Sequence, residues 1–310
     1  MRAYVIKRML LAIPTLCGVT LVTFLLMKSI PGDPVLGMVG ERADPHVIAQ
    51  MRQNLGLDKP FAVQYLRYIS LLCRGELGRS HYTNRPVAES IATKFPNTLK
   101  LAGAAVAIAV VVGLTLGILA AVSRGTVLDT FCTLTASLGI ATPVFWLALL
   151  LVMLFSYVLG WLPASGMGSG APAFLVLPAL SLGTRSAAYL ARISRSSMLE
   201  VMTQDFLRTA RAKGLGEWTV TLKHAARNAL IPVVTLAGLD FGSYLNGSVL
   251  TETIFGWNGI GRFAMEAILK RDYPVILGTV LIGAVAFIVV NLLVDVSYAF
   301  IDPRIRGMRR

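Results

Sequence analysis

Between positions 130 and 184 the chain carries no charged side chain, and no other feature restricts its fold as tightly. A soluble domain built on such a stretch would leave its helices without polar outer faces. A run of about 20 apolar residues does match the roughly 30 Å hydrocarbon layer of a bilayer. The uncharged runs 101–123 and 273–294 are each long enough to cross that layer as well. Charged residues form only 15% of the chain and the mean hydropathy is +0.68, whereas soluble domains carry about 25% charge. The expected fold is therefore all-α, a polytopic membrane helical bundle.

Uncharged runs bounded by turn signals place six spans near 9–30, 99–122, 130–158, 173–194, 229–250 and 276–300. Two of these come from the charge-free stretch, because Gly160-Trp161-Leu162-Pro163-Ala164-Ser165-Gly166 and the Gly/Pro-rich residues 168–172 interrupt it. The interruption reads as a short external hairpin, with Trp161 suited to the headgroup layer. Arg2, Lys7 and Arg8 precede the first span, as they would in a signal peptide. The apolar run 9–27 is longer than the about 7–15 residues of a signal core, and no small-x-small site follows it, so the span is expected to be retained.

Lys and Arg resist translocation and accumulate on the cytoplasmic side. With the N-terminus inside, the inner pieces hold Arg2, Lys7 and Arg8; Arg124; Arg192, Arg195, Arg208, Arg211, Lys213, Lys223 and Arg227; and Arg304, Arg306, Arg309 and Arg310. The outer segment 31–98 holds most of the remaining cations, and loops beyond about 60 residues translocate largely regardless of charge. Both termini are expected in the cytoplasm. Within 31–98, the stretches 45–55 and 60–73 each begin with proline in a first-turn position. Val63, Leu66, Tyr68, Ile69 and Leu72 recur at helical spacing. Such a helix can lie on the membrane or on the mouth of the bundle, meet an external partner, or cap a pore.

Much chemistry is excluded. No GxxxxGK[ST] loop occurs, and Gly166-Met167-Gly168-Ser169-Gly170 lacks the lysine and the strand-to-helix setting of a phosphate cradle. HExxH and GxSxG are absent too, which disfavours an intramembrane enzyme. Cys17, Cys73 and Cys132 are scattered, so neither a metal site nor a disulfide framework is expected. His46, His81 and His224 are isolated and expected at the surface, and Glu252 with Glu266 reads as a surface pair in an outer loop. The net charge of +13 raises nucleic-acid binding, but the cations lie between apolar spans without interleaved stacking aromatics.

The stretch 205–232, DFLRTARAKGLGEWTVTLKHAARNALIP, is too polar to enter a bilayer and lies between apolar spans. Phe206, Leu207, Ala210, Leu215 and Trp218 make an apolar stripe on a short helix, with Arg208, Arg211 and Lys213 around it and Gly214 placed for a left-handed turn. Such a helix suits a groove on a partner, or it rests on anionic lipid, which attracts each cation by about 1 kcal/mol. Arg185 stands midway in the fourth span and Asp240 near the middle of the fifth, where a charge costs at least about 2.5–3.5 kcal/mol. They are expected to pair with each other or to line a path for a charged solute. Asp295 is expected to meet basic groups at the inner end of the last span. Gly238, Gly242 and Gly247, with Ser243 and Ser248, form a small-residue helix face expected to meet another subunit or the path.

The run Arg208-Thr209-Ala210-Arg211-Ala212-Lys213-Gly214 resembles the cytoplasmic EAA loop of binding-protein-dependent ABC importer permeases, in the form found in the dipeptide, oligopeptide and nickel branch. Further matches follow in order: Pro31-Gly32-Asp33-Pro34, Leu55-Gly56-Leu57-Asp58-Lys59-Pro60, Gly78 with Ser80, Pro96 with Thr98-Leu99, Thr251-Glu252-Thr253-Ile254-Phe255, and Arg271-Asp272-Tyr273-Pro274. Arg208 replaces the acidic first residue of the general pattern and Thr209 its alanine, a form that this branch shows. The resemblance implies an ABC type I importer transmembrane fold. Residues 1–96 would form the first transmembrane helix plus an external helical segment, 97–302 the transmembrane domain, 195–228 its coupling loop, and 303–310 a basic tail.

The same resemblance implies that residues 206–214 and Trp218 contact a separate ATPase, and that the chain itself binds no cofactor. Its partners would be a second homologous permease, two cytoplasmic ABC ATPase subunits that bind ATP, and an external solute-binding protein, at the inner membrane of a bacterium. The expected solute is a di- or oligopeptide, while nickel, glutathione and haem carriers share the scaffold. A different class remains open: an ion-coupled carrier acting alone, with Arg185 and Asp240 as its coupling charges.

Overall fold

The computed structural model describes residues 2–29, 34–39 and 43–301. The basic tail and Pro31-Gly32-Asp33 lie outside them. Among the described residues the regular elements are helices, joined by one isolated bridge between Arg79 and Pro86. The first half runs α1 (Arg2–Ser29), α2 (Pro34–Val39), α3 (Pro45–Leu55), α4 (Phe61–Cys73), α5 (Val87–Val122), α6 (Val127–Ala141) and α7 (Val144–Leu151), the last continuing as a π-helix over Val152–Val158. Next come α8 (Ala173–Met202), α9 (Asp205–Ala212) and α10 (Glu217–Thr219), which passes through a π-helical stretch, Val220–Ala225, into α11 (Ala226–Leu245). The chain closes with α12 (Val249–Ile254), α13 (Ile260–Lys270) and α14 (Tyr273–Ile301).

Five helical runs are long and apolar enough to cross a membrane: α1, α5, α8, α10 with α11, and α14. The pair α6 and α7 is not the single rod expected over 130–158: the two halves bend by 104°. Thr142 is extended, with ψ 121°, because the ring of Pro143 disfavours helical backbone in the residue before it. The fifth span also ends earlier than expected, at Leu245, where Gly247 takes φ +91° in the turn to α12.

The centre of the bundle is α8 against α5. A methyl built on Gly113 would lie 2.6 Å from Leu190 Cβ and 2.8 Å from the Ala187 carbonyl oxygen. On Gly117 it would lie 2.5 Å from Ser194 Cβ, and on Gly183 2.6 Å from the Ala105 carbonyl oxygen. Lipid gives helices little hydrophobic reason to associate, so such backbone contact supplies the packing through dispersion and shape. Gly113-Leu114-Thr115-Leu116-Gly117 is a GxxxG pattern, the signal that marks this seam in the sequence. The first span is held in two places. Arg8 meets Asp295 of α14 at 2.6 Å, the basic contact expected of Asp295. Phe24 packs edge-on against Phe61 and Tyr65 of α4, with ring centroids 5.1 and 5.5 Å apart.

Two polar hubs bind connections between the spans, and both unite the weak motifs noted above. Glu252 is fully buried, which overturns its assignment to a surface pair. It accepts from Thr98 Oγ1 at 2.8 Å and from the Arg262 backbone N–H at 2.9 Å, while Thr98 Oγ1 accepts from the Ile260 N–H at 2.8 Å. Burial pushes the Glu252 carboxyl up, against the downward pull of Arg262 N–H, the Thr98 hydroxyl, Gly261 N–H and the Lys94 charge. Glu266 remains outside, 2.9 Å from Arg262. In the second hub the buried Asp272 accepts from Ser80 Oγ at 2.5 Å and from the His81 backbone N–H at 3.0 Å. His81 is thus half-buried and not at the surface; burial pushes its imidazole down, with Asp272 pulling the other way. Replacing Thr98 with valine removes one donor and one acceptor from the Glu252 hub. It is expected to cost about 1–3 kcal/mol, read as a lower unfolding midpoint of the solubilised protein.

Candidate functional site

Two regions draw together the residues singled out in the sequence. The first is the loop between α8 and α11. Gln204 enters α9 extended, with φ −77° and ψ 146°, Asp205 stands in its first turn and Arg211 in its last, each charge complementing the helix dipole. After Lys213, Gly214 turns the chain with φ +77°, and Arg211 closes the turn onto Glu217, Nε to Oε1 2.8 Å and Nη2 to Oε2 3.3 Å.

The apolar stripe expected on one face divides in two. Leu207 is fully buried and Ala210 nearly so; they pack with Met198 and Val201 at the end of α8, with Val220 and Ala225 of the π-helical stretch, and with Ala121 of α5. Phe206, Leu215 and Trp218 point the other way, 39%, 39% and 73% exposed. Arg208, Thr209, Ala212 and Lys213 are exposed beside them. The correction has a plain cause: a helix of eight residues has two sides, and one must anchor it to its own bundle. The result is a knob whose base is wedged among the ends of α5, α8 and α11 and whose tip is aromatic and cationic.

Beside the knob lies a clamp that sequence reasoning missed. Arg195 of α8 grips Asp129 of α6 in bidentate fashion, Nε to Oδ1 2.7 Å and Nη2 to Oδ2 2.8 Å. The Gly125 N–H donates to Asp129 Oδ2 at 3.1 Å. This ties the turn between α5 and α6 to α8, two helical turns ahead of the knob. The available signal was a lone acid just before a long charge-free stretch. Replacing Asp129 with asparagine is expected to lower the melting temperature. Asp129→Arg combined with Arg195→Asp should recover more of it than either single change.

The second region is intramembrane. Arg185 and Asp240 do not form the ion pair that was one of their two expected arrangements; among the described residues no ion pair joins them. The Arg185 guanidinium is exposed and lies over the Tyr189 ring, 5.9 Å from its centroid. Asp240 is half-buried on α11, near Ser186, and Ser186 itself bonds the Tyr244 hydroxyl.

The small-residue face is also placed differently from expectation. A methyl on Gly238 would lie 2.1 Å from Val294, and one on Gly242 3.0 Å from Phe287, so both glycines meet α14 of this same chain. Gly247 lies past the helix end, and its added methyl would lie 2.4 Å from Gly261 Cα.

The chain is similar to known proteins along its whole length. Residues 113–307 match the family model described as binding-protein-dependent transport system inner membrane component, and residues 1–102 match the N-terminal model of the same kind of component. The dipeptide transport system permease protein DppB of Alkalihalophilus pseudofirmus is 42% identical, over 99% of this chain and 100% of that protein. The di/tripeptide transport system permease protein DppB of Pseudomonas aeruginosa is 45% identical over the full length of both. The glutathione transport system permease protein GsiC of Salmonella paratyphi A is 46% identical, over 98% of both chains. Among solved structures, an inward-facing MetNI methionine ABC transporter is similar in fold at 18% identity, covering 68% of this chain and 96% of that one with a TM-score of 0.57.

Proposed function

The chain belongs to the family of binding-protein-dependent transport system inner membrane components, and from that premise we propose that it forms half of the path through which an ATP-driven importer takes up di- and oligopeptides. It is a multi-pass inner-membrane permease and not an enzyme. The observation that carries the mechanism is the knob: α9, α10 and the turn between them present Phe206, Leu215 and Trp218 outward while Leu207 and Ala210 lock the base to the ends of three spans.

A partner that shifts the tip must therefore shift the inner ends of α5, α8 and α11. That is the movement alternating access requires when one bundle rocks against another. The family implies ATPase and binding-protein partners; we assign two ATPase subunits, which bind the ATP, and a second homologous permease. The knob and both termini then lie in the cytoplasm, in keeping with the cations of 195–228. Peptide as the solute is supported by the two peptide permeases among the relatives. Glutathione is the second reading, supported by a relative of equal similarity, and it too is a small peptide with free carboxylates.

The test is uptake of a labelled dipeptide into proteoliposomes holding the chain with its partner subunits. ATP inside the compartment that faces the knob should drive uptake, and a non-hydrolysable analogue should not. Uptake by this chain alone, driven by an ion gradient, would instead establish the carrier reading.

A further inference from the structure

From Leu177 to the end of α8, the exposed residues are Arg185, Tyr189, Arg192, Ser196 and Glu200. Their spacing of three and four places them in one line along one side of the helix, while the rest of that stretch is buried or half-buried. On α6 the most exposed large side chains show the same period, but they are Val127, Phe131, Leu134 and Leu138, the surface lipid requires. The line on α8 is not a lipid surface. At 1.5 Å per residue, Arg185 lies about 18 Å from the start of the helix, near the middle of a layer roughly 30 Å thick, where a charge facing hydrocarbon is penalised. Among the described residues neither Arg185 nor Arg192 is in an ion pair, although the Asp240 charge on α11 is felt at Arg185 from beyond ion-pair distance.

We propose that this line is a binding track for the carboxylate of the passing solute. Arg185 is its first station at mid-membrane and Arg192 its second, about 10 Å further in by the same rise per residue. A guanidinium offers two parallel donors to a carboxylate, and the Tyr189 ring beneath Arg185 holds that fork in place. Ser196 continues the polar surface inward, and Glu200 repels an arriving carboxylate at the inner end, favouring release. The inference deepens the importer reading by naming the residues and the ligand chemistry that reading leaves open. The competing occupant is an acidic residue of the second permease.

The test uses the whole importer in proteoliposomes, with Cys17, Cys73 and Cys132 replaced by serine and one cysteine placed by Y189C, S196C or L138C. The probes are an anionic sulfonate and a cationic trimethylammonium methanethiosulfonate reagent. Y189C and S196C should react, with the ratio of anionic to cationic rate raised about tenfold above its value on a free thiol, as one charge-assisted contact implies. A transported dipeptide should protect them, and L138C should stay inert. Adding R185Q should erase the preference at Y189C and raise the half-saturation for dipeptide uptake by about tenfold, with R185K intermediate and the complex intact on size exclusion. Unreactive track positions, a ratio of the two rates no different from that on a free thiol, or a complex that falls apart on R185Q would overturn the proposal. The labelling arms need no uptake, so failure of the importer reading shows separately as absent ATP-driven transport with the charge preference intact.

Discussion

Replacing Gly117 with valine is expected to leave almost no folded protein in the membrane. The new Cβ would stand 2.5 Å from Ser194 Cβ and 2.6 Å from the Ala191 carbonyl oxygen. No real Cβ tolerates such distances, and the second obstacle is backbone, which cannot rotate aside as a side chain can. Overpacking of a soluble core costs typically about 1–3 kcal/mol. Here the two further branches of valine would force α5 away from α8 along the whole seam, and the contacts at Gly113 and Gly183 would go with it. Gly103→Val is the control, since nothing lies within 4 Å of a methyl at that position of the same helix. Membrane yield and the size-exclusion profile of a fluorescent fusion report the result. Similar profiles for the two variants would mean that α5 and α8 do not meet as described.

Trp218→Ala should have an equally large effect of a different kind. The side chain is 73% exposed at the tip of the knob, so its loss leaves the melting temperature and membrane insertion unchanged. A buried tryptophan at the centre of an interface is worth about 2 kcal/mol or more, a factor of about 30 in affinity. Binding of the purified ATPase subunits should fall by that factor, with ATP-driven uptake falling alongside. Leu207→Ala makes the contrast, because Leu207 is fully buried in the base; it should lower the melting temperature, at about 2–5 kcal/mol for such a truncation. A Trp218→Ala protein that binds its ATPases normally would move the contact elsewhere.

The class of fold is legible in the sequence because lipid imposes a simple demand: charge-free length. Five crossings were readable from it. The bend between α6 and α7 is not legible even though Pro143 lies inside the run, because proline is tolerated in many spanning helices and its position alone does not set an angle. Contacts between distant parts of the chain were less legible. Thr98 and Glu252 each stand in a motif of their own, yet nothing local says that 154 positions of chain separate a donor from its acceptor. Asp129 and Arg195 fall under the same difficulty. Gly238 and Gly242 do mark a close contact, with α14, but the seam where one backbone meets another is marked by the GxxxG at Gly113 on a different helix. For the knob, helical spacing revealed the apolar residues but not which of them the bundle would take back for its own core.

The Gly113, Gly117 and Gly183 contacts have a kinetic meaning as well. With backbone seated against backbone, α5 cannot slide along α8 without lifting each notch out of its socket, so the two behave as a single girder. Whatever gap opens and shuts during a cycle must then do so at the girder's edges, along other borders such as the one where α6 turns by 104° into α7. Substitutions that alter which cargo passes can accumulate on those borders while the girder itself tolerates almost none.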